Sequence, residues 1–329
     1  MNFELWIYLY DLVLHSKSMK LSLKHLLSGV AVGLILIFSF LISFPDGKVH
    51  IFFCNVGQGD AAYIRTPGNQ DMLIDGGPDT KVLNCLGRHM PFYDRTIDVV
   101  MLTHPQKDHL QGLLSVLQRY QVKYIVLGVE ENQTDGYQRL VQEIKNRNIP
   151  VKHLYTGDKF SLGKVKFEIL WPERKWVVEN VFPSNSVLSD LGNLSNPNTL
   201  GLLTTQRNIN DFSIYLHLAF GSFSSLFTGD GDTRIQGEIM KEVSLPRVNI
   251  LKYPHHGSKY GAGEDFLKLV SPDLTVISVG KNPWGHPTPE TLDLLAKLSI
   301  PFKRTDQNGD VEIVSDGQGW VVKSEKGSK

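Results

Sequence analysis

The sequence predicts a mixed α/β domain: two β-sheets packed face to face with helices outside, preceded by one apolar N-terminal span. Three observations carry this reading. Strand and helix signals alternate from Lys48 onward. The strands fall into two groups, separated by a long polar break over residues 172–210. Several connections read as hairpins, which disfavours a doubly wound parallel sheet. The 329 residues, 41% of them apolar, can bury a large core, as one large domain or two small ones. Charged residues at 21% argue against wholesale disorder.

The N-terminus comes first. Leu26 to Phe44 is a run of 19 residues without a charge. As a helix it would span roughly 28 Å, close to the ~30 Å hydrocarbon core of a bilayer. Lys17, Lys20 and Lys24 precede it, and Pro45 and Asp46 close it. The pattern predicts a signal-anchor over 26–44, with residues 1–25 cytoplasmic and residues 47–329 on the outer face of the cell membrane. A cleaved signal peptide, which would give a secreted protein, is the main alternative, but no A-x-A-like site ends the run. An apolar patch from Leu5 to Leu14 sits ahead of the lysines, and Met19-Lys20 would open a more ordinary anchor. Met19 is therefore a candidate start.

Lys+Arg and Asp+Glu both number 34, and 31 of each remain beyond residue 46. This balance argues against strong non-specific nucleic-acid binding, though not against a local basic groove. Cys54 and Cys85 are too few for a disulfide framework or a four-thiolate zinc site, and the sequence alone does not place them side by side.

The elements then follow in order. Val49–Asn55 and Ala61–Thr66 are rich in β-formers, broken by Gly57-Gln58-Gly59. Met72–Ile74 is a short strand ending in the turn Asp75-Gly76-Gly77-Pro78, and Lys81–Met90 reads as a helix. Ile97–Thr103 is a continuous apolar run, as in a strand covered on both faces. Leu110, Leu113, Leu114 and Leu117 recur at helical spacing. Tyr124–Leu127 and Val165–Leu170 read as strands around a helix at Tyr137–Lys145. The Asn-, Ser- and Pro-rich stretch 172–210 reads as a surface insertion. Phe212–Phe220 and Phe223–Thr228 form a hairpin, and Asn249–Tyr253 and Leu274–Val279 are further strands. Helices are expected at Ile235–Val243, Phe266–Leu269 and Thr291–Leu298, and a hairpin at Val311–Val314 and Trp320–Lys323 closes the chain.

The strongest local signal is Thr103-His104-Pro105-Gln106-Lys107-Asp108-His109, which follows a buried strand and opens a helix. Two imidazoles and a carboxylate in one turn can converge on a divalent cation. A helix cap with incidental histidines is the plainer reading. Three more segments weigh against it: Thr228-Gly229-Asp230-Gly231-Asp232, Tyr253-Pro254-His255-His256-Gly257-Ser258 and Trp284-Gly285-His286-Pro287 each follow a strand. Five of the 11 histidines thus sit just past strand ends, where chemistry collects in α/β architectures.

This order of segments resembles the metallo-β-lactamase superfamily, and more narrowly the C-terminal domain of ComEC-type DNA-uptake proteins. Asn55-Val56-Gly57-Gln58-Gly59-Asp60 is similar to that family's opening VGQGD, and Leu73-Ile74-Asp75-Gly76-Gly77 to its second strand and turn. Asn210-Asp211-Phe212-Ser213 matches the segment where many superfamily members keep a histidine ligand. The resemblance covers roughly residues 48–323. It implies a four-layer αββα sandwich with one or two divalent ions at an edge. Carried over, the metal ligands would be His104, Asp108, His109, Asp230 and His256, with Gln106 where the superfamily pattern has a histidine. Asp108, His109, His256 and Asp230 furnish one half-site. His104 and Asp230 furnish the other, with Gln106 or Asn210 to help. More oxygen and fewer imidazole ligands favour Mn²⁺ over Zn²⁺.

The implied activity is metal-assisted hydrolysis of a phosphodiester, DNA above all, by a membrane-anchored enzyme. Asp108, His255, His286 and Lys252 are the candidate catalytic residues, with Lys252 alternatively a solvent-facing strand lysine. Asp60, Asp75, Asn210 and Ser213 are expected to support the site. ComEC-type proteins carry a multi-helix channel and an OB-like domain, whereas this sequence offers one candidate span, so the expectation is either work with a separate channel protein or an extracellular role unrelated to uptake. Another ester, thioester or lactam substrate, or a non-catalytic binding domain, are the alternatives.

Overall fold

Three separate apolar clusters run through the protein, and three clusters need four layers. One joins helix residues such as Leu86, Leu113 and Leu140 to Tyr63, Leu73 and Val100 on strands. One joins Ile235, Phe266 and Leu295 on helices to Leu226, Leu251 and Ile277. The third is built from strands, with Ile51, Phe53 and Met101 facing Phe167, Leu216 and Phe227. The layers are therefore helix, sheet, sheet, helix, as expected. The computed structural model describes residues 23–41, 45–183 and 203–326. It divides into an N-terminal unit, Met1–Phe44, and a second unit, Pro45–Lys329.

The described residues of the second unit form 17 short strands. They run β1 (Val49–Phe53), β2 (Ala62–Arg65), β3 (Asp71–Ile74), β4 (Thr96–Met101), β5 (Gln121–Val126), β6 (Val151–Lys152), β7 (Lys159–Leu162) and β8 (Val165–Trp171). After them come β9 (Phe182–Pro183), β10 (Leu203–Thr204), β11 (Tyr215–Phe220), β12 (Phe223–Phe227) and β13 (Ile250–Lys252). Last are β14 (Leu274–Ile277), β15 (Phe302–Arg304), β16 (Val311–Ser315) and β17 (Trp320–Ser324). One sheet has the order β17-β16-β1-β2-β3-β4-β5-β6, the other β15-β14-β13-β12-β11-β8-β7. β3 to β6 pair in parallel, and so do β12 to β15. Helices at Lys81–His89, Lys107–Arg119, Asp135–Asn146, Thr233–Glu242, Glu264–Val270 and Pro289–Lys297 provide the connections.

Two expectations about the sheets need correction. The chain changes sheet between β6 and β7, ahead of the polar break, so the break interrupts the second sheet. The closing hairpin then returns to the first sheet, where Val49 pairs with Ser315 and Phe53 with Val311. The expected insertion at 172–210 is only partly loop. Helix Arg174–Asn180 packs Trp176 onto Trp171 at 4.8 Å, and β9 pairs with β10. Residues 184–202 lie outside the described residues.

The N-terminal expectations fare differently. A helix covers Leu23–Leu41, 19 residues. Among the described residues no helix is long and apolar enough to cross a membrane. Residues 42–44 of the expected span, and residues 1–22 with the candidate start Met19, lie outside the described residues.

Cys54 and Cys85 form a disulfide, with their Cα atoms 5.8 Å apart. It ties the residue after β1 to the helix that covers β1. Closing a loop between residues 31 apart should stabilise the fold by about 2–4 kcal/mol, chiefly by restricting the unfolded chain. Urea unfolding should therefore show a lower midpoint in dithiothreitol than in its absence. Equal midpoints would show that the bridge contributes nothing.

Candidate metal centre

The two parallel halves decide where chemistry can collect. Asp75 follows β3, Thr103 to His109 follow β4, Asp230 follows β12, His256 follows β13, and Ser278 follows β14. Each lies just beyond the carboxyl end of a parallel strand, and these ends meet at one rim. Ligand atoms of Asp60, His109, Asp230 and His256 all fall within 4.8 Å of one another. His104 belongs to the same cluster, its ring 4.2 Å from that of His109. Asp108 reaches it from the cleft side, with Oδ2 3.3 Å from His256 Nε2.

Buried partners fix the imidazoles. His109 Nδ1–H donates to Asp75 Oδ2 at 2.8 Å. Asp75 in turn accepts from the Thr103 backbone N–H and hydroxyl, both at 2.8 Å. His256 Nδ1–H donates to the Ser278 carbonyl at 3.0 Å. In both residues Nε2 is left facing the cluster. The tandem histidines adopt φ of +51° and +53°, followed by Gly257 at +82°. Three consecutive left-handed residues make a strained turn of the kind found at functional sites. The turn buries His256 and leaves His255 half-exposed, with Nδ1 3.3 Å from Asp232 Oδ2. Ser213, an expected supporting residue, accepts the Asp230 backbone N–H at 3.2 Å.

Beneath the cluster lies a buried ion pair. Lys252 is only 4% exposed and contacts Asp60. Its ammonium also donates to the Gly229 carbonyl at 3.0 Å and stands 3.8 Å from Asp230 Oδ1. Lys252 is thus no solvent-facing strand lysine, and it faces Asp60 instead of the cleft.

The charges respond to this crowding. Burial would raise the Asp230 carboxyl, but His256 and His109 hold it well below the usual carboxylate range. Burial would lower His256, but Asp230, Asp60 and Asp108 push it up to about 10. His109 rises well above the ordinary imidazole value for the same reason, against burial, through Asp230 and Asp75. His104 moves the other way: burial, then the neighbouring His109, lowers it to about 3.

The residues fit a divalent ion. Nε2 of His104, His109 and His256, Oδ1 of Asp230 and Oδ1 of Asn210 are buried without a hydrogen-bond partner. Five such atoms in one place are costly unless something binds them. Neutral imidazole nitrogens and carboxylate oxygens are the donor set of a Zn²⁺ or Mn²⁺ site.

Asp108, Asp230 and His256 of this cluster line the floor of a cleft of about 680 Å³. Gln106, Asn210, His255 and His286 line it, so the structure brings these predicted residues to the site. Thr103, Asp232 and Trp284 fall inside the sequence motifs but have no role assigned from the sequence, and Ser278 falls inside a strand alone. The strand-end position of Thr103 and Ser278, shared with the histidines, was the available signal.

The layered fold and the cluster are similar to those of the metallo-β-lactamase class that the motif order of the sequence resembles. The sequence is also similar to ComEC-type proteins. It is 25% identical over 285 residues to ComE operon protein 3 of Bacillus subtilis, covering 81% of this chain and 33% of that protein. It is 22% identical over 264 residues to Recombination protein 2 of Haemophilus influenzae, covering 79% of this chain and 28% of that protein. The chain thus spans about a third of the length of these curated relatives. A solved structure, the metallo-β-lactamase fold protein YhfI from Bacillus subtilis, aligns with a TM-score of 0.44 at 13% identity, covering 80% of this chain and 98% of that one. No family model matches the chain.

Two predictions follow from the buried charges. Lys252→Met leaves Asp60 buried without its ammonium partner, and should cost about 3–5 kcal/mol of stability. Lys252→Met with Asp60→Asn should recover most of that loss in urea unfolding, and an equal loss in both variants would contradict the pairing. The second concerns pH. In the metal-free fold His256 is raised from 6.5 to about 10, so it favours the folded state fully below pH 6.5. That stabilisation is lost as pH rises through about 10. The melting temperature in EDTA should fall across this window. The rise produced by added Mn²⁺ should grow across it, because the ion competes with the imidazole proton.

Proposed function

We propose that this protein is a metal-dependent phosphodiesterase acting on DNA. The observation that carries the reading is the convergence of three buried imidazole Nε2 atoms and Asp230 Oδ1, none of them hydrogen-bonded, beside an open cleft that Asp230 and His256 line. His109, His256, Asp108 and Asp230 would hold one ion. His104 and Asp230, aided by Asn210 or Gln106, would furnish a weaker second position. Mn²⁺ suits this oxygen-rich set better than Zn²⁺. When bound, the ion would supply hydroxide at neutral pH and neutralise charge growing on the phosphoryl oxygens.

The protein's own groups would do the rest. Asp75 and the Ser278 carbonyl hold the Nδ1 protons of His109 and His256, so that both Nε2 atoms face inward. His255 and His286 flank the cleft with ring centroids 5.9 Å apart. They would hydrogen-bond a phosphoryl oxygen or pass a proton to the leaving alkoxide. Lys252 would act from below, holding Asp60 and Asp230 in place.

The similarity to ComE operon protein 3 and Recombination protein 2 supports a place in DNA uptake, with a separate channel protein as partner. We also propose that the domain, residues 47–329, faces the outside of the cell and is held at the membrane by its N-terminal helix. The Cys54–Cys85 disulfide supports an oxidising compartment.

The test is turnover by the full chain with Mn²⁺ on single- and double-stranded DNA. His109→Ala should lower kcat by at least about 100-fold while the circular dichroism spectrum is kept. Turnover of small esters or lactams alone would move the protein to another hydrolase class. Absence of bound metal by elemental analysis, with no turnover of any substrate, would leave only a binding domain.

A further inference from the structure

Trp284 is the most exposed large aromatic among the described residues of the second unit, at 64%. It stands on the lip of the cleft whose floor holds Asp230 and His256. The loop that carries it is clamped. Asn282 Oδ1 accepts the backbone N–H of Trp284 at 3.1 Å and of His286 at 2.9 Å. Asn282 Nδ2 donates to the carbonyls of Gly280 and His286, both at 2.8 Å. One amide thus makes four hydrogen bonds to its own loop. The indole lies 6.1 Å from the His286 ring at 31°, and His286 lies beside His255. Nothing here buries the indole, yet its backbone is held in place. Lys107 and Lys281, both exposed, line the same cleft.

We infer that Trp284 is a stacking platform for an unpaired nucleobase next to the scissile phosphodiester, with Lys107 and Lys281 drawing in the flanking phosphates. The inference rests on the phosphodiesterase reading and narrows its substrate to a strand with accessible bases. An indole face accepts any base, because every base has a π-face. Bases in a duplex are stacked on one another and do not present that face. A cleft of about 680 Å³ has the size of a small-ligand site. An indole fixed at its edge loses little freedom when a base stacks on it.

The test uses the full chain and a labelled oligothymidine, with binding followed by anisotropy in Ca²⁺. Trp284→Ala should weaken binding about 10-fold, and Trp284→Tyr should restore most of it. An oligonucleotide with an abasic tract should bind the wild type about 10-fold more weakly than the intact strand, but should bind Trp284→Ala no more weakly. The blunt duplex should bind the wild type less tightly than the single strand. The Mn²⁺-induced rise in melting temperature should be the same in Trp284→Ala as in the wild type, which separates loss of the platform from damage to the metal site. A wild type that cleaves phosphodiesters but binds intact and abasic strands alike would overturn the platform and leave the phosphodiesterase reading standing. A wild type that cleaves no phosphodiester would remove that reading and this inference with it.

Discussion

Three carboxylates, Asp60, Asp75 and Asp230, are each less than 5% exposed and stand within one small volume. Burying a lone carboxylate is prohibitive unless it is paired or hydrogen-bonded. The surrounding structure can be read as the answer to that constraint. Lys252 answers Asp60, Thr103 and His109 answer Asp75, and His109 with His256 answers Asp230. Thr103 and His109 come from the end of β4 in one sheet, and Lys252 and His256 from the end of β13 in the other, so the charge balance holds only when the two sheets meet at this rim. Charge compensation here is a tertiary property, and it gathers a candidate metal-binding group at the rim of the sandwich.

Close backbone approach is the second requirement, and glycine meets it. A Cβ at Gly112 would lie 1.9 Å from the Gly76 carbonyl, so helix Lys107–Arg119 can press directly onto the turn that carries Asp75. A Cβ at Gly280 would lie 2.4 Å from the Gly57 backbone, where the loop after β14 meets the loop after β1. These contacts let His109 sit over Asp75 and bring the loop holding Trp284 against the Gly57-Gln58-Gly59 turn. Larger residues would push the loops apart and open the cluster.

The elements were legible wherever the signal was local. His104, Asp108, His109, Asp230 and His256 could be picked out because each sits beside a strand end, and a strand end can be read from a few apolar residues. Sheet membership was not legible in the same way. β16 pairs with β1 across more than 250 residues, and nothing within either strand states that choice. Strands such as β6 and β15, of two and three residues, are too short to show a period. The burial of Lys252 was hidden for a related reason, because its partner Asp60 lies on the other sheet's side of the rim. The Cys54–Cys85 bridge also depends on a helix folding back over β1, which residue spacing does not reveal.

Floor and lip are built on different principles. The floor is made by strand ends and buried hydrogen bonds, and its ligand geometry comes with the fold. The lip is made by loops, and its composition is free to follow the substrate. With 34 charges of each sign, the chain offers no net attraction for a polyanion. Any preference for a nucleic acid must therefore be local, from groups that meet the strand within a Debye length of the reacting phosphate. Lys107, Lys281 and Trp284 are placed to supply it, and all three lie outside the buried charge balance. Recognition on the lip could therefore change without disturbing the floor, and a neutral domain could still hold a charged strand at a single point.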